Sequence, residues 1–152
     1  MSIATKQVVV VRTDVFSKKN EQGKMELDPS LIGKIGIQMT HASKAVILNQ
    51  LRDSKWVLVN NIPRTLELAG KPEEDPVYQW CTGPFTGIAL KCKSEVKLQK
   101  LYDEAIAAGL PCSYIVDRGL TVFNGVPTAT CMAIGPAKSE DIDKITGKLR
   151  LL

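Results

Sequence analysis

Gln7-Val8-Val9-Val10-Val11-Arg12 decides the fold class of this 152-residue chain. The run is β-branched and almost continuously apolar. A strand with one wet face alternates apolar and polar residues, so a run without alternation predicts a strand buried on both faces, in the middle of its sheet. Covering both faces takes helices, and the chain supplies them. Ser94 is a good N-cap, Glu95 suits a first turn, and Val96, Leu98, Leu101, Ala105 and Ala108 mark an apolar helical face that ends at Gly109, before Pro111. Ser139 opens a shorter helix with Glu140 and Asp141 in its first turn, and Gly147 closes it. Gly87 to Cys92, Cys112 to Val116 and Ala129 to Ile134 read as further strands. The order β, α, β, α, β, β, α predicts an α/β fold in three layers, with a mixed central sheet of about four strands and helices on both faces. The length suits one domain over residues 1–152.

The first helix in that order covers Gly33 to Val46. Ile32, Ile35, Met39, Ala42 and Val46 recur at core-facing spacing. Lys34, Gln38 and His41 follow i, i+4, i+7 and fall within an arc of roughly 60° on a helix of 3.6 residues per turn. A cation, an amide and the chain's one histidine share that stripe. Two readings stay open from the helix alone: a solvated face, or one wall of a site.

Between the first strand and this helix, Ser17 to Lys24 has the composition of an exposed loop. It runs on to Asp28-Pro29-Ser30, where Asp28 or Ser30 can cap the helix and Pro29 fits its first turn. From Leu51 to Thr82 the pattern is hardest to read. Trp56 to Val59 is strand-like, Pro63 to Gly70 reads as a short helix bounded by Pro and Gly, and Lys71 to Pro76 reads as loop. The segment from Leu51 to Thr82 reads as a peripheral elaboration, and the roles of residues 15–31 and 52–75 stay open.

With 20 basic and 16 acidic residues, the formal charge of +4 permits an anionic partner without requiring one. Lys91, Lys93, Lys97 and Lys100 are either a phosphate-facing patch or an ordinary solvated face. Cys81, Cys92, Cys112 and Cys131 show no CxxC pairing, and one histidine is a poor basis for zinc, so buried free thiols are expected. The valine run is too short for a signal core or a membrane span, which predicts a soluble intracellular protein.

Asp117 ends a buried strand and precedes Arg118-Gly119, a place where α/β proteins put functional side chains; Asp-X-Gly is equally good turn chemistry. Thr130 enters the last strand, where β-propensity alone can explain it. No nucleophile elbow, phosphate loop or paired His-X-His motif is present. A Ser-His-Asp arrangement would have to use His41, with Asp117 as its orienting carboxylate.

Taken in order, these pieces resemble the type 2 peptidyl-tRNA hydrolases. The matching segments are Val8 to Asp14, Gly33 to Ala42, Ala108-Gly109-Leu110-Pro111, Asp117-Arg118-Gly119-Leu120-Thr121, Thr130 to Pro136, and the tail from Ile142 to Leu152. The resemblance puts the family's functional lysine on Lys34, its motif glutamine and histidine on Gln38 and His41, its functional aspartate on Asp117 and its functional threonine on Thr130. It makes Lys34, His41, Asp117 and Thr130 the expected catalytic set, with Gln38, Gly119 and Thr121 as substrate-binding positions. It implies hydrolysis of the ester joining a peptide to the terminal ribose of tRNA, which recycles tRNA in the cytoplasm. No metal or organic cofactor and no membrane are implied, and a homodimer is left open.

Three residues depart from the family pattern Asp-Ala-Gly-Arg-Thr-Gln. Arg118 replaces the alanine, Leu120 the arginine and Val122 the glutamine. Water is the expected attacking group, since no activated side-chain nucleophile is visible. Lys34 would stabilise oxyanion charge or hold a phosphate, Asp117 and His41 would serve proton transfer and orientation, and Thr130 would position water or the carbonyl. The alternatives are a catalytically inactive module that binds RNA or protein, and a hydrolase of another ester or amide.

Overall fold

The valine run forms the middle strand of the main sheet. Its five strands lie in the order β7 (Cys112–Asp117), β8 (Thr128–Lys138), β1 (Thr5–Arg12), β6 (Gly87–Cys92) and β9 (Arg150–Leu151). β1 runs parallel to β6, with Val9 opposite Ala89, and antiparallel to β8, with Val9 also opposite Ala133. β7 is antiparallel to β8, so β1, β6 and β7 all end at the same edge. The computed structural model describes residues 4–52, 56–59, 62–66, 71 and 73–152, with the backbone alone at 51–52, 56–59 and 62–66.

Alternation along the central strands divides the core into two layers. Val8 and Val10 of β1, with Met132 and Ile134 of β8, pack against Leu98, Leu101 and Ala105 of α3 (Glu95–Ala107) and Ile142 of α4 (Ser139–Thr146). Val9 and Val11, with Cys131 and Ala133, pack against Ile35, Ala42 and Val46 of α1 (Ile32–Arg52) and against Phe16. Each fully buried valine contributes about 1.5–3 kcal/mol of apolar transfer, and both faces of β1 collect it. That is the three-layer arrangement the unalternated run predicts. The sheet has five strands and not about four, because two-residue β9 pairs with Leu90 and Lys91 and is too short to leave a pattern.

Several local expectations need correcting. The polar stretch after β1 is a hairpin, β2 (Ser17–Lys19) with β3 (Met25–Leu27), whose turn is closed by Asn20 Oδ1 accepting from Gln22 and Lys24 N–H at 3.0 and 2.9 Å. Asp28 caps the short 3₁₀ turn Pro29–Leu31 that leads into α1, accepting from Ser30 N–H; Lys18 and Ser30 hold its carboxyl down at about 2. The helix expected over Pro63 to Gly70 is instead strand through Leu66: β5 (Ile62–Leu66) pairs with β4 (Trp56–Val59), and 67–70 lie outside the described residues. Pairing with a distant strand outweighs the local Pro and Gly signals there. Asp75-Pro76, read as loop, is the N-cap and first position of α2 (Pro76–Thr82). Ile32 is exposed although its spacing puts it on the core stripe, since α1 only begins there.

All four cysteines are free, with Cys92 and Cys131 buried, Cys112 half-buried and Cys81 exposed on α2. Among the described residues, no helix is long and apolar enough to cross a membrane.

Candidate active site

A cation in the first turn of a helix opposes the helix dipole. Lys34 sits there on α1, and the Asp117 carboxylate at the end of β7 compensates it with Oδ2 only 2.6 Å from Nζ. The same oxygen accepts from Gln38 Nε2 at 2.7 Å, and Lys34 also donates to Thr121 Oγ1 at 3.1 Å. Asp117 Oδ1 accepts from the Gly119 N–H at 2.7 Å. The Lys34 hydrogen bond holds the Asp117 carboxyl below the usual carboxylate range; Gly119 and Gln38 add to this and partial burial opposes it. Asp117 is therefore a carboxylate at neutral pH.

Gly119 makes that turn possible. Its φ of +79° is a left-handed conformation, and a Cβ there would collide with the Val126 backbone. The loop it opens folds back through Gly125 N–H to Gly119 O at 2.9 Å, and Phe123 packs against Phe16 with ring centroids 5.7 Å apart. Asp-X-Gly is thus a turn whose carboxylate also meets Lys34 and Gln38.

Thr130 reaches the site through an irregularity in the sheet. On β7, Ile115 pairs with Cys131 and Val116 with Ala129, so Thr130 is an extra residue without a partner. Such a bulge turns a side chain out of its alternating direction. Two consecutive residues consequently face α1: Cys131 Sγ donates to the Gln38 main-chain O at 3.1 Å, and Thr130 Oγ1 donates to Gln38 Oε1 at 2.8 Å. Accepting from Thr130 leaves the Gln38 amide nitrogen turned toward Asp117. A continuous chain results, from Thr130 through Gln38 to Asp117 and Lys34.

Burial ranks these side chains. Thr130 is fully buried and Gln38 is 2% exposed, whereas the Lys34 and Asp117 side chains keep 20% and 12% exposure. Gln38, expected on a polar stripe, is an interior residue. Thr130, expected to position water or a carbonyl, lies beneath Gln38 and acts on its amide. His41 is exposed and makes no hydrogen bond or ion pair among the described residues; the Asp117 oxygens are taken by Lys34, Gln38 and Gly119.

Above this chain lies an open cleft of about 320 Å³, walled by Lys34, Gln38 and His41 on α1 and by Ile115 to Arg118, Leu120 and Thr121 on the other side. At the small end of ligand-site volumes, it holds a reacting bond and its immediate neighbours, not a large ligand body. Cys131 is unsuited to nucleophilic work, because burial pushes its thiol up to about 12. Neither its contact with Gln38 nor the bulge at Thr130 has a sequence signal. No group of three or more His, Cys, Asp or Glu side chains converges among the described residues.

A family model described as Peptidyl-tRNA hydrolase PTH2 matches residues 5–152. Proteins named peptidyl-tRNA hydrolase are similar to this chain over nearly its whole length. That of Sulfurisphaera tokodaii is 35% identical, covering 99% of this chain and 100% of its own. Those of Methanopyrus kandleri and Haloquadratum walsbyi are 31% and 34% identical, covering 97% and 96% of this chain and 97% and 98% of their own.

Proposed function

This chain belongs to the peptidyl-tRNA hydrolase PTH2 family, and we propose that it hydrolyses the ester between peptide and tRNA in the cleft built on Lys34 and Asp117. The observation that carries the site reading is the Lys34 ammonium, only partly exposed at the cleft wall and held at 2.6 Å by a carboxylate that is itself fixed by Gln38 and Gly119. Such a charge is preorganised: it needs no rearrangement when negative charge develops beside it.

In this reading water attacks the ester carbonyl carbon, and the oxyanion of the tetrahedral intermediate forms against Lys34. His41, unengaged on the rim, accepts the water proton and returns it to the ribose oxygen as the acyl–oxygen bond breaks. The products are a peptide carboxylate and a free ribose hydroxyl. Asp117 keeps Lys34 aimed, Gln38 and Gly119 keep Asp117 in place, and Thr121 shares the ammonium. Thr130 is a positioning residue that acts through Gln38.

The reading takes residues 1–152 as one domain working in the cytoplasm, where translation supplies the substrate. Sedimentation of the full chain distinguishes a 16.6 kDa monomer from a homodimer.

The test is release of tRNA from N-blocked aminoacyl-tRNA. Wild type releases it, and Lys34→Ala and Asp117→Ala each lose about 10²- to 10³-fold in kcat/KM while remaining folded by circular dichroism. Full turnover by both variants refutes the site. Salt-sensitive tRNA binding without release identifies an inactive binding module instead. Cleavage of a simple ester that competing tRNA does not inhibit identifies another hydrolase.

A further inference from the structure

Arg12 ends β1 at the same edge of the sheet where β7 ends in Asp117, but it does not line the cleft. Val11 before it packs on the α1 side, so alternation sends Arg12 to the α3 face, where its guanidinium meets Glu95 in the first turn of α3. Nε and Nη2 form a fork on Asp14 Oδ1 and Oδ2, both at 3.0 Å. Nη1 donates to Glu95 Oε2 at 2.7 Å and to the Ala129 carbonyl at 3.2 Å. We propose that Arg12 is a positioning residue for the hydrolysis: clamped by the two carboxylates, it holds Ala129 and thereby the bulge that turns Thr130 toward Gln38. This rests on the hydrolase reading of the cleft.

The bulged residue lies between two neighbours that face opposite ways. Cys131 packs on the α1 side and is fixed by its pairing with Val11 and Ile115 and by its thiol on Gln38 O. Ala129 packs on the α3 side, and β7 holds it through Val116. On the other flank the pairing of β1 with β8 ends at Val11 opposite Cys131, and a side chain takes over: Arg12 reaches the Ala129 carbonyl. Regular alternation would send Thr130 to the α3 face, away from Gln38. With Ala129 gripped from both flanks, the extra residue is confined to Thr130.

A phosphate ligand is the obvious alternative for an arginine near a tRNA site. Here the donors are spent, because four of the five N–H groups already meet Asp14, Glu95 and Ala129. The carboxylates are 37% and 59% exposed, and ion pairs so close to water add little to stability. Loss of the guanidinium therefore falls mainly on the placement of Thr130.

The experiment measures release of tRNA from N-blocked aminoacyl-tRNA by Arg12→Met and Arg12→Lys, each alone and on Thr130→Val, with urea unfolding alongside. Arg12→Met keeps an unbranched stem and is expected to lower kcat roughly 10-fold with KM within about twofold of wild type. Arg12→Lys falls between the two, since an ammonium keeps the charge but lacks the fork. On Thr130→Val, Arg12→Met is expected to cost less than about twofold more, because a group that acts through Thr130 has nothing left to position. An equal kcat loss in both backgrounds marks an arginine that acts elsewhere and overturns the proposal. So does wild-type kcat in folded Arg12→Met, or a raised KM at unchanged kcat, which marks a substrate contact. Should Arg12→Met not fold, Arg12→Lys decides by the same comparison: wild-type kcat, or an equal loss on Thr130→Val, overturns the proposal. If Lys34→Ala loses rate while the Arg12 variants keep it, this inference alone falls. If wild type releases no tRNA, the hydrolase reading falls and takes the inference with it.

Discussion

Thr130→Val removes one hydroxyl at nearly constant volume, from a side chain with no exposure. Valine is at home in a strand, so backbone propensity opposes the change little. What is lost is the 2.8 Å hydrogen bond to Gln38 Oε1, and Gln38 is itself 2% exposed, so water does not replace the donor. Leaving a buried acceptor unsatisfied costs about 1–3 kcal/mol. With an m-value of about 2 kcal/mol/M, the urea midpoint falls by roughly 0.5–1.5 M. The second effect is on rate. An amide no longer held by Thr130 can rotate and withdraw its N–H from Asp117, loosening the carboxylate that aims Lys34. A misplacement on the order of 1 Å at a reacting group costs about 10²-fold, so kcat is expected to fall by roughly 10- to 100-fold with little change in KM. Thr130→Ser keeps the donor and is expected to retain most of the rate. Gln38→Met placed on Thr130→Val removes the stranded amide, so stability recovers while activity stays low. Release of tRNA from N-blocked aminoacyl-tRNA measures the rate, and urea unfolding measures the stability. Wild-type kcat in Thr130→Val refutes the chain of positioning. A double variant no more stable than Thr130→Val refutes the stranded-acceptor argument.

Three further outcomes follow from the same geometry. Gly119→Ala, with φ at +79° and the Val126 backbone in the way, is expected to cost about 2–3 kcal/mol and lower Tm by roughly 5–10 °C; an unchanged melting curve contradicts the packing described. The Cys131 thiol, pushed up to about 12 by burial, stays protonated in the folded state at pH values where the unfolded chain ionises. From about pH 9 to 12 the native state therefore binds more protons and stability falls as pH rises, by up to about 1.4 kcal/mol per pH unit from this group. Cys131→Ala removes that component of the alkaline slope in denaturant titrations, and an identical slope argues against it. His41→Asn, at an exposed position without partners among the described residues, leaves the unfolding midpoint unchanged and lowers kcat by about 10²-fold; loss of stability instead of rate assigns His41 a packing role.

Much of the architecture was legible because it rests on local pattern. The valine run without alternation announced a central strand, and Ser94 with its apolar face announced α3 within about a residue. Misreadings fell where pairing is non-local. Ile62–Leu66 is strand by virtue of Trp56–Val59, and β9 is defined only by Leu90 and Lys91 across from it. The Asp75-Pro76 cap is present in the sequence, but the helix behind it is too short to leave a periodic pattern.

The candidate site divides along the same line. By itself the sequence determined that Lys34, Gln38 and His41 share a helical stripe and that Asp117 ends a strand, because helical period and strand propensity follow from residues a few positions apart. That this strand lies at the sheet edge and is only partly buried was not legible. Only the tertiary structure decided which of them meet. Residues 34, 38, 117 and 130 converge because β7 and α1 pack on one layer, and Thr130 faces α1 only because a bulge between Ile115 and Val116 breaks the alternation of β8. That bulge depends on the register between two strands, which no single stretch of chain encodes. It turns a threonine with ordinary β-propensity into the base of the chain that holds Lys34.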